Sequence, residues 1–255
     1  MARLFDDAST EYMEKDAAPV TAYPLTMACW FYSDDAAADQ GLMSIIDKDA
    51  PDQWLAALHA RGGIAGDPVR ASVRAGTQVN VVTTTGYSVN TWHHACGVFA
   101  STTSRDVFID GDSKGSNTTS SSPSGVDRIS VGRQGDSTPG NYMSGRIAEA
   151  AVWNVALNDF EIALLATPGI TPNRIRPDNL RGYWPVWGLH SPEIDLSGQG
   201  NSLTVNGATR ADHAPVTLFT PKWAASAPLI EVAVAGAGIR NPFGGPMVLR
   251  NPLGA

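Results

Sequence analysis

Cysteine is almost absent from this chain: Cys29 and Cys96 are the only two in 255 residues. Two thiols cannot make a disulfide-rich scaffold or, unaided, a zinc site. The plain reading is two buried free thiols, with one bridge between them as the alternative. Charge is also scarce, at 17% of residues, and the net charge of -7 leaves no basic excess. A broad nucleic-acid-binding face is therefore not expected. No apolar run approaches the roughly 18 residues of a membrane-spanning helix. Met1 to Asp7 carries Arg3, Asp6 and Asp7 and does not read as a signal peptide. No G-x-S-x-G elbow or P-loop is present.

What is present is short-period alternation. Hydrophobic residues make up 43% of the chain, enough for a sizeable core. Their spacing is that of strands separated by turn clusters. In Leu25 to Tyr32, the residues Leu25, Met27, Cys29 and Phe31 share one face, and Thr26, Ala28, Trp30 and Tyr32 the other. Further strands are expected at Gly41 to Asp47, Trp54 to His59, Arg70 to Arg74, Val79 to Thr84 and Trp92 to Phe99. The series continues with Arg105 to Ile109, Arg128 to Val131, Gly145 to Trp153, Leu180 to Trp184 and Leu203 to Val205. Asp110-Gly111 is a turn signal. Asn158 to Ala166 has helical spacing, with Asn158 or Asp159 as cap and Pro168-Gly169 as the stop. Ser113 to Gly125 reads as an exposed Ser/Thr-rich loop.

Composition changes near Pro215. The segment 221–255 is expected to be an extended apolar tail, with a strand at Leu229 to Val234 and the imperfect repeat Arg240-Asn241-Pro242 and Arg250-Asn251-Pro252. Its prolines forbid a helix. It is expected either to return to its own sheet or to dock on a partner as an assembly arm.

Certain motifs, taken in order, carry a resemblance. They are Leu25-Thr26-Met27-Ala28-Cys29-Trp30-Phe31, then Trp92-His93-His94-Ala95-Cys96, Phe108-Ile109-Asp110-Gly111 and Val131-Gly132-Arg133. Gly145 to Asn154 and the closing Gly182-Tyr183-Trp184-Pro185 complete the set. Together they resemble the concanavalin A-like jelly rolls of laminin-G and pentraxin type over residues 2–215. The chain also resembles jelly-roll proteins encoded among the virion genes of tailed bacteriophages. The resemblance implies an all-β, two-sheet antiparallel sandwich. It further implies a non-enzymatic virion structural or decoration protein, with other virion proteins and copies of itself as partners and a host glycan as a further ligand. A free carbohydrate-binding lectin is the alternative.

The same architecture hosts β-glucanases, which carry paired acids at alternate strand positions. Glu193-Ile194-Asp195-Leu196-Ser197 supplies the first two acids, but Ser197 stands in place of the third. A serine cannot protonate a leaving group at neutral pH, so glycosidase activity is not expected. His59, His93, His94, His190 and His213 form no local catalytic signature. His93 and His94 are expected to point to opposite faces.

Pentraxin-like domains bind calcium between two loops. Here the resemblance aligns Asp52 and Gln53, before Trp54, with the first loop, and Gln134 and Asp136 with the second. These four are the candidate calcium ligands, with two polar turns and no ion as the alternative. Asp47, Asp49, Asp110 and Asp112 read as solvated turn acids.

Overall fold

The structure, a computed structural model, describes residues 1–214. The tail at 221–255, its expected strand and Trp223 lie outside the described residues. In chain order the strands are β1 (Ala2–Phe5), β2 (Tyr12–Lys15), β3 (Leu25–Ser33), β4 (Asp39–Ile46) and β5 (Gln53–Arg61). Next come β6 (Pro68–Ala75), β7 (Thr77–Gly86), β8 (Trp92–Ser101), β9 (Ser104–Ile109) and β10 (Asp112–Asn117). The last are β11 (Arg128–Val131), β12 (Gly145–Trp153), β13 (Leu180–Trp184), β14 (Thr204–Asn206) and β15 (Thr209–Ala211), with one helix, α1 (Asp159–Leu165), between β12 and β13.

They form two antiparallel sheets. The first runs β10-β9-β8-β3-β12-β1-β15, with β13 also paired to β12; the second runs β14-β2-β11-β4-β5-β6-β7. The main core lies between them. Leu25, Met27, Cys29 and Phe31 of β3 and Ala95 and Phe99 of β8 meet Ile45, Leu58, Val69, Ala71 and Ile129 of the other sheet. Each large apolar side chain placed there contributes about 1.5–3 kcal/mol. The alternation read from the sequence thus sets the inner faces correctly.

The outer face of the first sheet carries a second core. Ala28, Cys96, Val98, Phe108 and Trp153 pack beneath Ile162 and Leu165 of α1 and beneath Ile175. The Trp153 indole donates to the Ile175 carbonyl at 2.8 Å. Cys29 and Cys96 therefore sit in different cores on opposite faces of one sheet, and both are free thiols. The helix begins at a full capping box: Asn158 Oδ1 accepts from the Glu161 N–H and Glu161 Oε2 from the Asn158 N–H, both at 3.0 Å.

The Ser113 to Gly125 region departs from its expected loop. Its first half is β10, the partner of β9 through a hairpin at Asp110-Gly111. It is an edge strand of polar residues with low strand propensity, so hydrophobic alternation gives no sign of it. His93 and His94 do point apart. His93 contacts Asp110 at 2.7 Å and Phe31 on the core side, whereas His94 packs edge-on against Trp30. Asp110, exposed as expected, also accepts the His94 backbone N–H at 2.8 Å.

Candidate functional site

Two regions gather polar chemistry. The first contains the sequence-predicted ligands. After β11 the chain turns at Gly132 (φ +85°) and lays residues 133–141 over the outer face of the second sheet. Gly41 permits this approach, since a Cβ there would lie 2.6 Å from the Arg133 carbonyl carbon. The loop brings Gln134 and Asp136 to Trp54 of β5. Asp136, almost fully buried, accepts at Oδ2 from the Trp54 indole (2.9 Å) and the Gln134 amide (2.8 Å), and at Oδ1 from the Thr138 N–H (3.0 Å). Gln134 Oε1 accepts from Asn141 at 3.2 Å. Gln53 Oε1 accepts from the Ser124 N–H at 3.1 Å, and the Asp52 carbonyl from the Gly76 N–H at 3.0 Å.

These contacts test the fit of a calcium ion. A hard cation takes about six to eight oxygens, but here the side-chain oxygens of Gln53, Gln134 and Asp136 each already accept an N–H. In this arrangement an ion would have to share the side-chain oxygens of three of the four candidates with the N–H groups they already accept. Asp47, Asp49 and Asp127 form a separate acidic group, with oxygens within 4.8 Å of one another. Lys48 Nζ offsets one of its three charges, at 2.8 Å from Asp127 and 2.7 Å from Asp49. Hydrogen bonds first to Asp127 and then to Asp49 hold the Lys48 ammonium above its ordinary pKa.

The second region is a cavity of about 310 Å³ lined by Glu149, Thr171, Tyr183, Trp187, Leu189 and His213, together with Met1. It originates in a bulge of β12. The first half of that strand pairs with β1 and the second half with β13, and the register against β3 shifts between Ala148 and Ala151. Glu149 occupies the extra position at φ +51°, a conformation that costs a non-glycine residue of order 1–3 kcal/mol. Its carboxylate is buried. Oε2 accepts from the Tyr183 hydroxyl at 2.5 Å, and Oε1 lies 3.1 Å from His213 Nε2. Burial, and then the Glu149 charge, push the Tyr183 hydroxyl well above its ordinary pKa. The phenol therefore remains a proton donor.

Trp187 is the one exposed tryptophan among the described residues, at 41%, and Leu189 beside it is 48% exposed. The backbone holds the indole in place. Val186 is left-handed at φ +61° and Gly188 at +69°. The Trp187 N–H donates to Glu193 Oε1 at 2.9 Å. Glu193 Oε2 in turn accepts from Arg3 Nε at 2.7 Å in a buried ion pair, and Arg3 also donates to the Ala208 and His190 carbonyls. Asp195 is likewise committed, accepting from the Tyr183, Ser197 and Asn201 N–H groups. The two acids of the glucanase-like segment thus accept the backbone N–H groups of Trp187 and Tyr183, two of the residues that line the cavity. Glu149 is the one carboxylate among the described residues that line it.

A model of the concanavalin A-like lectin/glucanases superfamily matches residues 7–163. The chain belongs to this superfamily. Among solved structures, this concanavalin A-like chain is similar to a candidate carbohydrate-binding protein from Bacteroides ovatus (TM-score 0.58, 18% identity), covering 85% of this chain and 61% of that one. It is similar to the heptameric SAP-like pentraxin from Limulus polyphemus (TM-score 0.56, 11% identity), covering 85% and 97%. A third is domain 4 of the arabinanase AbnA from Geobacillus stearothermophilus, in complex with arabinotriose (TM-score 0.50, 17% identity), covering 58% and 68%. At these identities the likeness is one of fold, and the chain spans only 61% of the Bacteroides protein's length. No curated protein sequence matches the chain. Of the lining residues, Thr171, Tyr183, Trp187, Leu189 and His213 all follow the stretch matched by the superfamily model.

Sequence reasoning did not single out Glu149, Tyr183, Trp187 or His213 as a site. Two signals were available: a carboxylate inside the apolar run from Ile147 to Trp153, and a tryptophan set off its strand between Pro185 and Gly188.

Proposed function

We propose that this concanavalin A-like sandwich is a non-catalytic glycan-binding module, displayed as a structural or decoration subunit of a bacteriophage virion. The observation that carries the glycan-binding part is the Glu149 cavity, with its exposed indole and a single buried carboxylate. A sugar ring offers an apolar face to an aromatic side chain and hydroxyl donors at its edge. Trp187 provides the platform, and the Glu149 carboxylate provides a charged acceptor within a largely apolar wall. A lone carboxylate anchors a sugar hydroxyl but cannot supply both the acid and the nucleophile of hydrolysis.

The virion part is supported by the bacteriophage resemblance and by the apolar residues of the C-terminal segment, from Leu229 to Leu253, which suit docking on other subunits. A glycan array on the wild type and Trp187→Ala tests the first part. Binding by both chains alike, or by neither, overturns it. Searching purified particles for the chain tests the second, and its absence from them favours a free lectin.

A further inference from the structure

Glu149 is a buried anion with little around it to balance its charge. Its side chain is 4% exposed, and His213 is its one ion-pairing neighbour among the described residues. Oε2 accepts from the Tyr183 hydroxyl, which has no second proton to give. Oε1 accepts no hydrogen bond from the described residues, although it carries two lone pairs. His213 Nε2 lies 3.1 Å from Oε1 but is turned away from donating to it. Nδ1 of the same ring donates to the Ala214 carbonyl at 3.0 Å, and Nε2 is buried without a hydrogen-bond partner. In a neutral imidazole an N–H at Nδ1 leaves Nε2 bare, so the ring brings a lone pair to the carboxylate and not a proton. Among the described residues, no lysine or arginine lines the cavity. Met1 does, but burial holds its α-amino group below the ordinary pKa, with the Glu149 charge opposing, and the two form no ion pair.

A carboxylate held out of water without a counter-charge is costly, and here it is held by a strained bulge residue at φ +51°. A sugar hydroxyl would give Oε1 a hydrogen bond but no positive charge. An ammonium gives both. It donates up to three N–H groups, enough for Oε1 and the remaining lone pair of Oε2, and it neutralises the carboxylate. The bare Nε2 of a neutral His213 adds negative potential at the same place. The rest of the lining suits a cation carried on a ring. The exposed Trp187 indole attracts a cation as well as the apolar face of a sugar. At about 310 Å³ the cavity is at the small end of ligand pockets, which run from roughly 300 to 1,000 Å³. It therefore suits one residue at a chain end.

We infer that the Glu149 cavity selects an amino sugar whose amine is free and protonated, at the end of an oligosaccharide. The ammonium sits on the Glu149 carboxylate and the ring on Trp187. This ligand class rests on the glycan-binding reading of the same cavity. N-acetylation removes the charge from the amine, so the acetylated sugar leaves the carboxylate unneutralised and is discriminated against, as is the sugar with a hydroxyl at that position.

The test is calorimetric titration of the full chain with three tetrasaccharides of one linkage: the free-amine glucosamine form, its fully N-acetylated form, and cellotetraose, which carries hydroxyls instead. A mildly acidic buffer keeps the amines charged, and a tetralysine peptide serves as the control for attraction by the chain's net charge of -7. The expected result is that the free-amine form binds at least about tenfold more tightly than the other two sugars and than tetralysine, as befits a charge-assisted hydrogen bond. Glu149→Gln should abolish that preference, bringing the free-amine form down to the level of cellotetraose. If Glu149→Gln fails to fold, the ranking of the three sugars on the wild type decides the matter alone. Neutral sugars bound as tightly as the free-amine form overturn the inference and leave the glycan-binding reading standing. Tetralysine bound as tightly as the amino sugar, or a preference that survives in a folded Glu149→Gln chain, overturns the inference as well. Failure of all three sugars here, together with no hit on a glycan array, overturns the glycan-binding reading itself and the inference with it.

Discussion

Replacing Glu193 by Gln should cost the protein stability and not a chemical step. The side chain is buried and holds two donors: Oε2 accepts from Arg3 Nε at 2.7 Å and Oε1 from the Trp187 N–H at 2.9 Å. Both charged side chains are no more than 6% exposed, so solvent screens the pair little. A glutamine keeps the shape but has one oxygen for two donors and no charge. Breaking a buried pair from one side costs about 3–5 kcal/mol, because the remaining charge is stranded. Arg3 retains the carbonyls of Ala208 and His190, so the expected loss is at the low end, about 3 kcal/mol. For a domain of this size that is a fall in Tm of roughly 6–12 °C. Urea unfolding should show a lower midpoint with an unchanged slope. Affinity at the cavity should fall too, because the Trp187 backbone loses its anchor. A Glu193→Gln protein within about 0.5 kcal/mol of the wild type, the scatter of ordinary surface changes, would refute this reasoning.

Asp136→Ala leaves the Trp54 indole without its acceptor and should cost about 1–3 kcal/mol in urea unfolding; a neutral result would mean the loop is not held as described. Millimolar calcium should leave the wild-type Tm unchanged, because the side-chain oxygens of Gln53, Gln134 and Asp136 already accept N–H groups, and a rise would show that the loop rearranges around an ion. Asn158→Ala removes the capping box and should cost about 1 kcal/mol, read as a lower urea midpoint. His59 and His94 are held neutral by burial, with pKa values pushed down to about 4. The unfolded chain therefore takes up about two more protons than the folded one as pH falls from 6.5 toward 4. Their stabilisation is complete above pH 6.5 and is lost progressively below it, so stability measured by urea unfolding should fall between pH 7 and 5; a flat profile would contradict their burial.

The sandwich was legible because β3, β6 and β8 alternate with one face in the main core and β5 and β12 do so apart from a bulge in each, and α1 was legible from its spacing, its Asn158 cap and its Pro168-Gly169 stop. β1, β2 and β15 were not, because strands of three or four residues hold too few periods to stand out. β10 is polar throughout, and the hairpin turn before it was the only cue. The cavity was hidden for a different reason. Glu149 reaches it through a bulge that no spacing rule anticipates. Tyr183, Trp187 and His213 converge on it from 34 to 64 positions further along the chain. The loop pairing of Gln134 with Asp136 followed from the resemblance, but the Trp54 indole that occupies the carboxylate is visible only once the strands are placed.

The glycan-binding reading is tested most directly by titrating the glycan best bound on an array into the wild type, Trp187→Ala and Glu149→Gln, with the melting transition of each recorded alongside. Loss of the platform should weaken binding at least about tenfold, and loss of the charged acceptor by a similar factor, while Trp187→Ala keeps a cooperative melting transition because the indole, 41% exposed, belongs to none of the buried cores. Undiminished affinity in a folded Trp187→Ala chain would contradict the account.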